Sequence, residues 1–95
     1  MIELRNINDF EKVINNPKVI VDFFATWCGP CRMLAPMLEK VENNNPDLTL
    51  VKVDIDKFRE LATQFDIKAV PTLIFFKNGK MVNKSMGYIP DSEIQ

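Results

Sequence analysis

Apolar and polar positions along this chain switch between two periods, and the switches mark its elements. "VIVDFFA" (Val19 to Ala25) is a near-continuous apolar, β-branched run, which predicts a strand buried on both faces. "LTLVKVDI" (Leu48 to Ile55) reads as a second such strand, and "IEL" (Ile2 to Leu4) as a short first one. "TLIFF" (Thr72 to Phe76) and "KMVNKS" (Lys80 to Ser85) flank Asn78-Gly79, the dipeptide that favours a two-residue hairpin turn. Between these runs the spacing becomes helical. Phe10, Val13 and Ile14 mark a short helix that starts at Asn8 or Asp9 and stops at Asn15 to Pro17. Met33, Leu34, Met37, Leu38 and Val41 mark a longer one, which Pro36 is expected to kink and "NNNP" to end. Phe58, Leu61, Ala62 and Phe65 give a third. The order β-α-β-α-β-α-β-β predicts an α/β fold with a central mixed sheet, parallel crossovers first and an antiparallel hairpin last.

Ninety-five residues, 46% hydrophobic and 26% charged, make one ordinary globular domain spanning 1–95. A net charge of −1 offers no basic footprint for nucleic acid, and no apolar run reaches membrane-spanning length. "MIELRNINDF" carries charges where a signal peptide would be apolar, so a cytoplasmic protein is expected. The absence of histidine excludes His-based acid–base chemistry, Cys–His pairs and His metal ligands.

Chemistry concentrates in "TWCGPCRM" (Thr26 to Met33), which holds both cysteines and the lone tryptophan. Cys28 follows a strand and Cys31 lies in the helix after it, so backbone N–H groups and the helix dipole favour a thiolate on an exposed Cys28 sulfur. Gly29 lets the backbone turn tightly and leaves room for an incoming chain. Pro30 fits the first helical turn, where a missing N–H costs little. Three positions along a helix return to nearly the same face, so Cys31 can sit beside Cys28 and close a small, reopenable ring. Two buried small hydrophobes, or half of an intermolecular zinc or iron–sulfur site, are the alternatives. A CxxC beside a βαβ pattern in a reducing compartment favours redox chemistry.

"WCGPC" after "VDFFAT", followed in order by "KVDID", "AVPTL", "FKNGK" and "MGY", resembles the thioredoxin family, with the motifs running from Val21 to Gly87. The resemblance implies a five-stranded mixed sheet flanked by helices on both faces. It implies a monomeric protein-disulfide reductase with Cys28 as nucleophile and Cys31 as resolving thiol. No bound cofactor is implied. The reversible Cys28–Cys31 disulfide would be reduced by NADPH through a thioredoxin reductase, and the other partners would be disulfide-containing client proteins.

Residues outside the motif gain roles in the same way. Asp22 interrupts a buried strand, where a lone carboxylate is costly unless paired or neutral. An edge position would be the bland explanation, whereas the resemblance makes Asp22 the buried acid beneath Cys31. Lys52 interrupts "LVKVDI" and either snorkels to solvent or, by resemblance, modulates Asp22. Pro71 opens a strand in which it cannot donate, and the resemblance makes it a cis-proline facing the cysteines. Val70 would then offer backbone groups to a substrate strand, bordered by Trp27, Gly29, Pro30 and Gly87. Trp27 in the core is the alternative.

Two departures from the family stand out. Phe24 occupies a position where tryptophan is usual, so an indole N–H is missing. At "PDSEIQ" the family continues into a full C-terminal helix. Here Asp91 or Ser92 would cap a helix cut off within about a turn, leaving one sheet face partly uncovered. A disulfide oxidase or isomerase is disfavoured because Gly29-Pro30 supplies no cation to stabilise a thiolate. A non-catalytic interaction module of the same fold is disfavoured because docking alone does not need two thiols.

Overall fold

The computed structural model describes residues 1–86. Its strands are β1 (Ile2–Glu3), β2 (Lys18–Phe24), β3 (Leu48–Asp54), β4 (Thr72–Lys77) and β5 (Lys80–Met86). A 3-10 turn (Ile7–Asp9) leads into α1 (Phe10–Ile14), and α2 (Gly29–Asn44) and α3 (Arg59–Gln64) complete the set. The five strands lie in the order β1-β3-β2-β4-β5. β3 pairs parallel with β1 and β2, whereas β2–β4 and β4–β5 are antiparallel. This is the mixed α/β sheet that the periodicity predicts.

Alternation along the strands sorts side chains onto two faces. Val19, Val21 and Phe23 of β2 join Val51, Val53, Ile74 and Phe76 in one core, packed against Phe10 and Leu61 from α1 and α3. Ile20, Leu50 and Leu73 point the other way, onto Leu34 and Leu38 of α2. β2 is buried along its length after Lys18 because strands flank it and helices cover both faces.

Two expectations change in detail, the place of Met33 and the start of the first helix. Met33 lies outside the core face of α2 and is 67% exposed. The seam is set by Leu34, Leu38 and Val41, and Met33 sits one residue, about 100°, around the helix from Leu34. α2 remains helical through Pro36. The first helix begins as a 3-10 turn, capped by Asn6, whose side chain accepts from the Asn8 N–H at 2.9 Å. The expected turn at Asn78-Gly79 is present, with φ of 51° and 84°, the left-handed pair that a type I′ hairpin requires. Gly87 and the helix cap at Asp91 or Ser92, with the uncovered face tied to it, lie outside the described residues.

Candidate functional site

The site forms where β2 ends and α2 begins. Phe24 closes the strand, Ala25 to Cys28 cross to the helix, and Cys28 is its N-cap. The Cys31 N–H donates to Cys28 Sγ at 3.2 Å, so an orphan amide of the first turn is aimed at sulfur. Cys28 and Cys31 are joined as a disulfide, with Cα atoms 5.3 Å apart. They pack with Phe24 and Ala25, against Ile55 and Val70.

Cys28 and Gly29 differ from what the motif alone predicts. Cys28 is only 4% exposed, rather than open to solvent, because it packs with Phe24, Ala25 and Cys31 against Ile55 and Val70. Gly29 does not supply a special turn; it is the first residue of α2 and lacks a positive φ. A Cβ on Gly29 would meet nothing within 4 Å, so its contribution is the open space beside the disulfide. Pro30, exposed, sits in the first helical turn, where it lacks only an N–H that would be orphaned anyway.

The Val70–Pro71 bond is cis, and the Val70 carbonyl oxygen lies 3.7 Å from Cys28 Sγ. Val70 stands just before β4, outside its ladder with β2 and β5. Thr72 Oγ1 donates to the Ala69 carbonyl at 2.6 Å and ties the turn together around Pro71. Trp27 is 65% exposed, which removes the core alternative. Its indole N–H donates to Asp56 Oδ2 at 2.9 Å, and the Asp56 N–H in turn donates to Asp54 Oδ1. Asp56 is a site residue that the sequence did not single out. It lies within "KVDID", but neither periodicity nor charge distinguishes it from a solvated loop carboxylate.

Asp22 is 1% exposed and belongs to the α2 face of the sheet, with Lys52 and Leu73 as its register neighbours. The edge-position alternative therefore fails, since β2 is the central strand. Its Oδ1 has no hydrogen-bond partner. Burial pushes its pKa from 3.8 up to about 7, while the Lys52 ammonium pulls it down. Asp22, Cys31, Phe24, Ala25, Arg32 and Lys52 face one cavity of about 110 Å³. Lys52 is half-buried, with Nζ 4.4 Å from the centroid of the Phe24 ring. The strand–helix junction thus places a disulfide, a carboxyl poised near neutrality and an exposed aromatic at one end of the sheet. Among the described residues no group of three or more metal-ligating side chains forms.

Comparisons with known proteins agree with this arrangement. The thioredoxin family model matches residues 1–95. The chain is 42% identical to a thioredoxin of Mycoplasmoides gallisepticum, covering 100% of the chain and 96% of that relative. It is 43% identical to thioredoxin-1 of Saccharomyces cerevisiae, over 93% of the chain and 86% of the relative. Among solved structures, a mutant thioredoxin of Halobacterium salinarum superposes with a TM-score of 0.92 at 31% identity, covering 98% of this chain and 82% of that one. Oxidised mitochondrial thioredoxin 3 of Saccharomyces cerevisiae gives 0.90 at 35%, covering 99% and 89%.

Proposed function

The chain belongs to the thioredoxin family, and from that membership we propose how its residues divide the work of the reaction. The protein is a thiol–disulfide oxidoreductase that reduces protein disulfides through its paired cysteines. Cys28 is the nucleophile. Its thiolate attacks one sulfur of a client disulfide, and the client's other sulfur leaves as a thiolate. Cys31 then attacks Cys28 Sγ, closing the Cys28–Cys31 disulfide and releasing the second client thiol. Two electrons and two protons pass to the client. The observation that carries this assignment is the amide of the first turn of α2 directed at Cys28 Sγ, which suits a thiolate there.

Asp22 takes the Cys31 proton as the resolving thiol becomes a thiolate. A carboxyl with a pKa of about 7, sharing a cavity with Cys31, can both accept and return a proton near neutrality. Lys52 tunes that acid. Trp27, Gly29, Pro30, Val70, Pro71 and Gly87 form the client surface. The backbone of Val70 pairs with an extended client strand while the indole of Trp27 covers its flank.

Thioredoxins need no bound cofactor and are re-reduced by a thioredoxin reductase; here the electrons come from NADPH. Residues 1–95 act as one thioredoxin domain, a monomer in the cytoplasm, where a lone redox pair is kept reduced. Neither a net charge of −1 nor any described helix suits nucleic acid or a membrane span.

Client trapping tests the division of labour. Cys31→Ser should accumulate a mixed disulfide through Cys28, visible on non-reducing gels and cleaved by dithiol. Cys28→Ser should trap nothing and lose disulfide reduction. Full reductase-linked activity in Cys28→Ser would sink the catalytic assignment and leave an interaction module.

A further inference from the structure

Lys52 reaches Asp22 only if something holds its flexible side chain in place. Among the described residues no ion pair or hydrogen bond fixes it. It stands in register between Glu3 of β1 and Asp22 of β2. Glu3 is exposed, so its carboxylate offers the ammonium a competing and well-solvated partner on the far side. What the ammonium does contact is the Phe24 ring, 4.4 Å from its centroid. Phe24 is two residues beyond Asp22 on the same face of β2, is 8% exposed, and lines the same cavity as Asp22 and Lys52.

We propose that Phe24 is a positioning residue whose ring holds the Lys52 ammonium over the cavity, so that Lys52 acts on Asp22 rather than turning toward Glu3 and solvent. A partly desolvated ring face attracts a cation, which is enough to bias a side chain with no other anchor. This deepens the reading of Asp22 as the acid beneath Cys31 and rests on it. The remaining charges around the cavity do not replace Lys52. Arg32 of α2 also lines it, but its guanidinium donates to the Thr26 carbonyl at 2.9 Å. Asp54, the next same-face position on β3, accepts from the Asp56 N–H. Leu73 of β4 is apolar, and Cys31 is in the disulfide.

The test is a carbon-13 titration of the Asp22 carboxyl in the oxidised full chain, compared across variants. Phe24→Leu keeps the site apolar but removes the ring. It should move the Asp22 midpoint upward, by at least roughly half the rise seen in Lys52→Met, and add little once Lys52→Met is present. Phe24→Trp restores a ring face and should keep the midpoint close to that of the parent protein. The parent protein provides a check that needs no variant: the Lys52 ε-methylene protons should be shifted upfield by the ring. An Asp22 midpoint that stays put or falls in Phe24→Leu overturns the proposal, since a purely space-filling Phe24 would admit water and lower it. Lys52 ε-protons at random-coil positions in the parent overturn it equally. Failure of the underlying reading looks different: Asp22 in the parent protein would titrate as an ordinary carboxylate near 3.8.

Discussion

At the scale of single residues, the most consequential choice in this chain is a carboxyl in the middle of its central strand. Raising Asp22 from 3.8 to about 7 costs the folded, oxidised protein about 4 kcal/mol once pH exceeds both values. The sign follows from proton counting. Between these pH values the folded state holds the proton more tightly than the unfolded chain, so stability falls as pH rises through the window. Asp22→Asn removes the charge at nearly constant volume. It should therefore stabilise the protein by roughly 2–4 kcal/mol at pH 8 and by little at pH 4, as read by urea denaturation at both values. An equal gain at both pH values would place the cost in packing rather than ionisation. The same substitution should slow disulfide exchange above neutrality if Asp22 takes the Cys31 proton, as read by single-turnover reduction of a client disulfide.

At the scale of elements, two junctions decide whether the site assembles. The β2–α2 junction works because the strand's alternation, with Asp22 and Phe24 on one face, continues into a helix capped by Cys28 over that face. The entry into β4 fixes the other side, because the antiparallel register of β4 on β2 sets where Val70 and Pro71, just before Thr72, lie against the cysteines. Gly79, at φ 84°, is the glycine whose conformation matters. A Cβ there would meet the left-handed penalty and run into the Asn15 side chain, whose Nδ2 donates to the Glu11 carbonyl at 2.8 Å. Gly79→Ala should lower stability by about 1–2 kcal/mol in urea melts. The loss should come with exchange rates at the cysteines close to those of the parent, since the turn sits at the opposite end of the sheet. A loss of activity out of proportion to stability would mean that the hairpin does more than set register.

At the scale of the whole molecule, the direction of electron flow depends on how the fold stabilises the thiolate relative to the disulfide. The first turn of α2 offers one amide, that of Cys31, to the Cys28 sulfur, but Gly29-Pro30 adds no cation and the chain has no histidine to supply one. The reduced form therefore gains only modest stabilisation, and the pair should be reducing. Thioredoxin is itself the standard example of such a couple, at about −270 mV. Equilibration in graded dithiol–disulfide buffers, followed by alkylation and mass measurement, should place Cys28–Cys31 below about −220 mV. A value near −120 mV would make the protein an oxidant and overturn the argument from Gly29-Pro30.

Much of this molecule was legible in one dimension. Element order, the sheet's mixed character, the Asn78-Gly79 turn and the CxxC at a strand–helix junction all follow from local periodicity and backbone preference. These properties are carried by neighbours in sequence. Asp22 was legible as an anomaly, because a charge inside a β-branched run violates the pattern that surrounds it. The depth of Cys28, the absence of a special turn at Gly29 and the exposure of Met33 were not legible. The first depends on which distant surface closes over the cysteine, the second on where the helix begins, and the third on a helical face that periodicity gives only to within one position. Asp56 and the Lys52–Phe24 contact were also out of reach. They join residues 29 and 28 positions apart across the sheet's end, through a hydrogen bond and a ring–cation contact that no local pattern announces. Local sequence set which elements form and where reactive groups lie along them. The packing of those elements decided which groups share a cavity, how far each is desolvated, and hence which proton is available near neutrality.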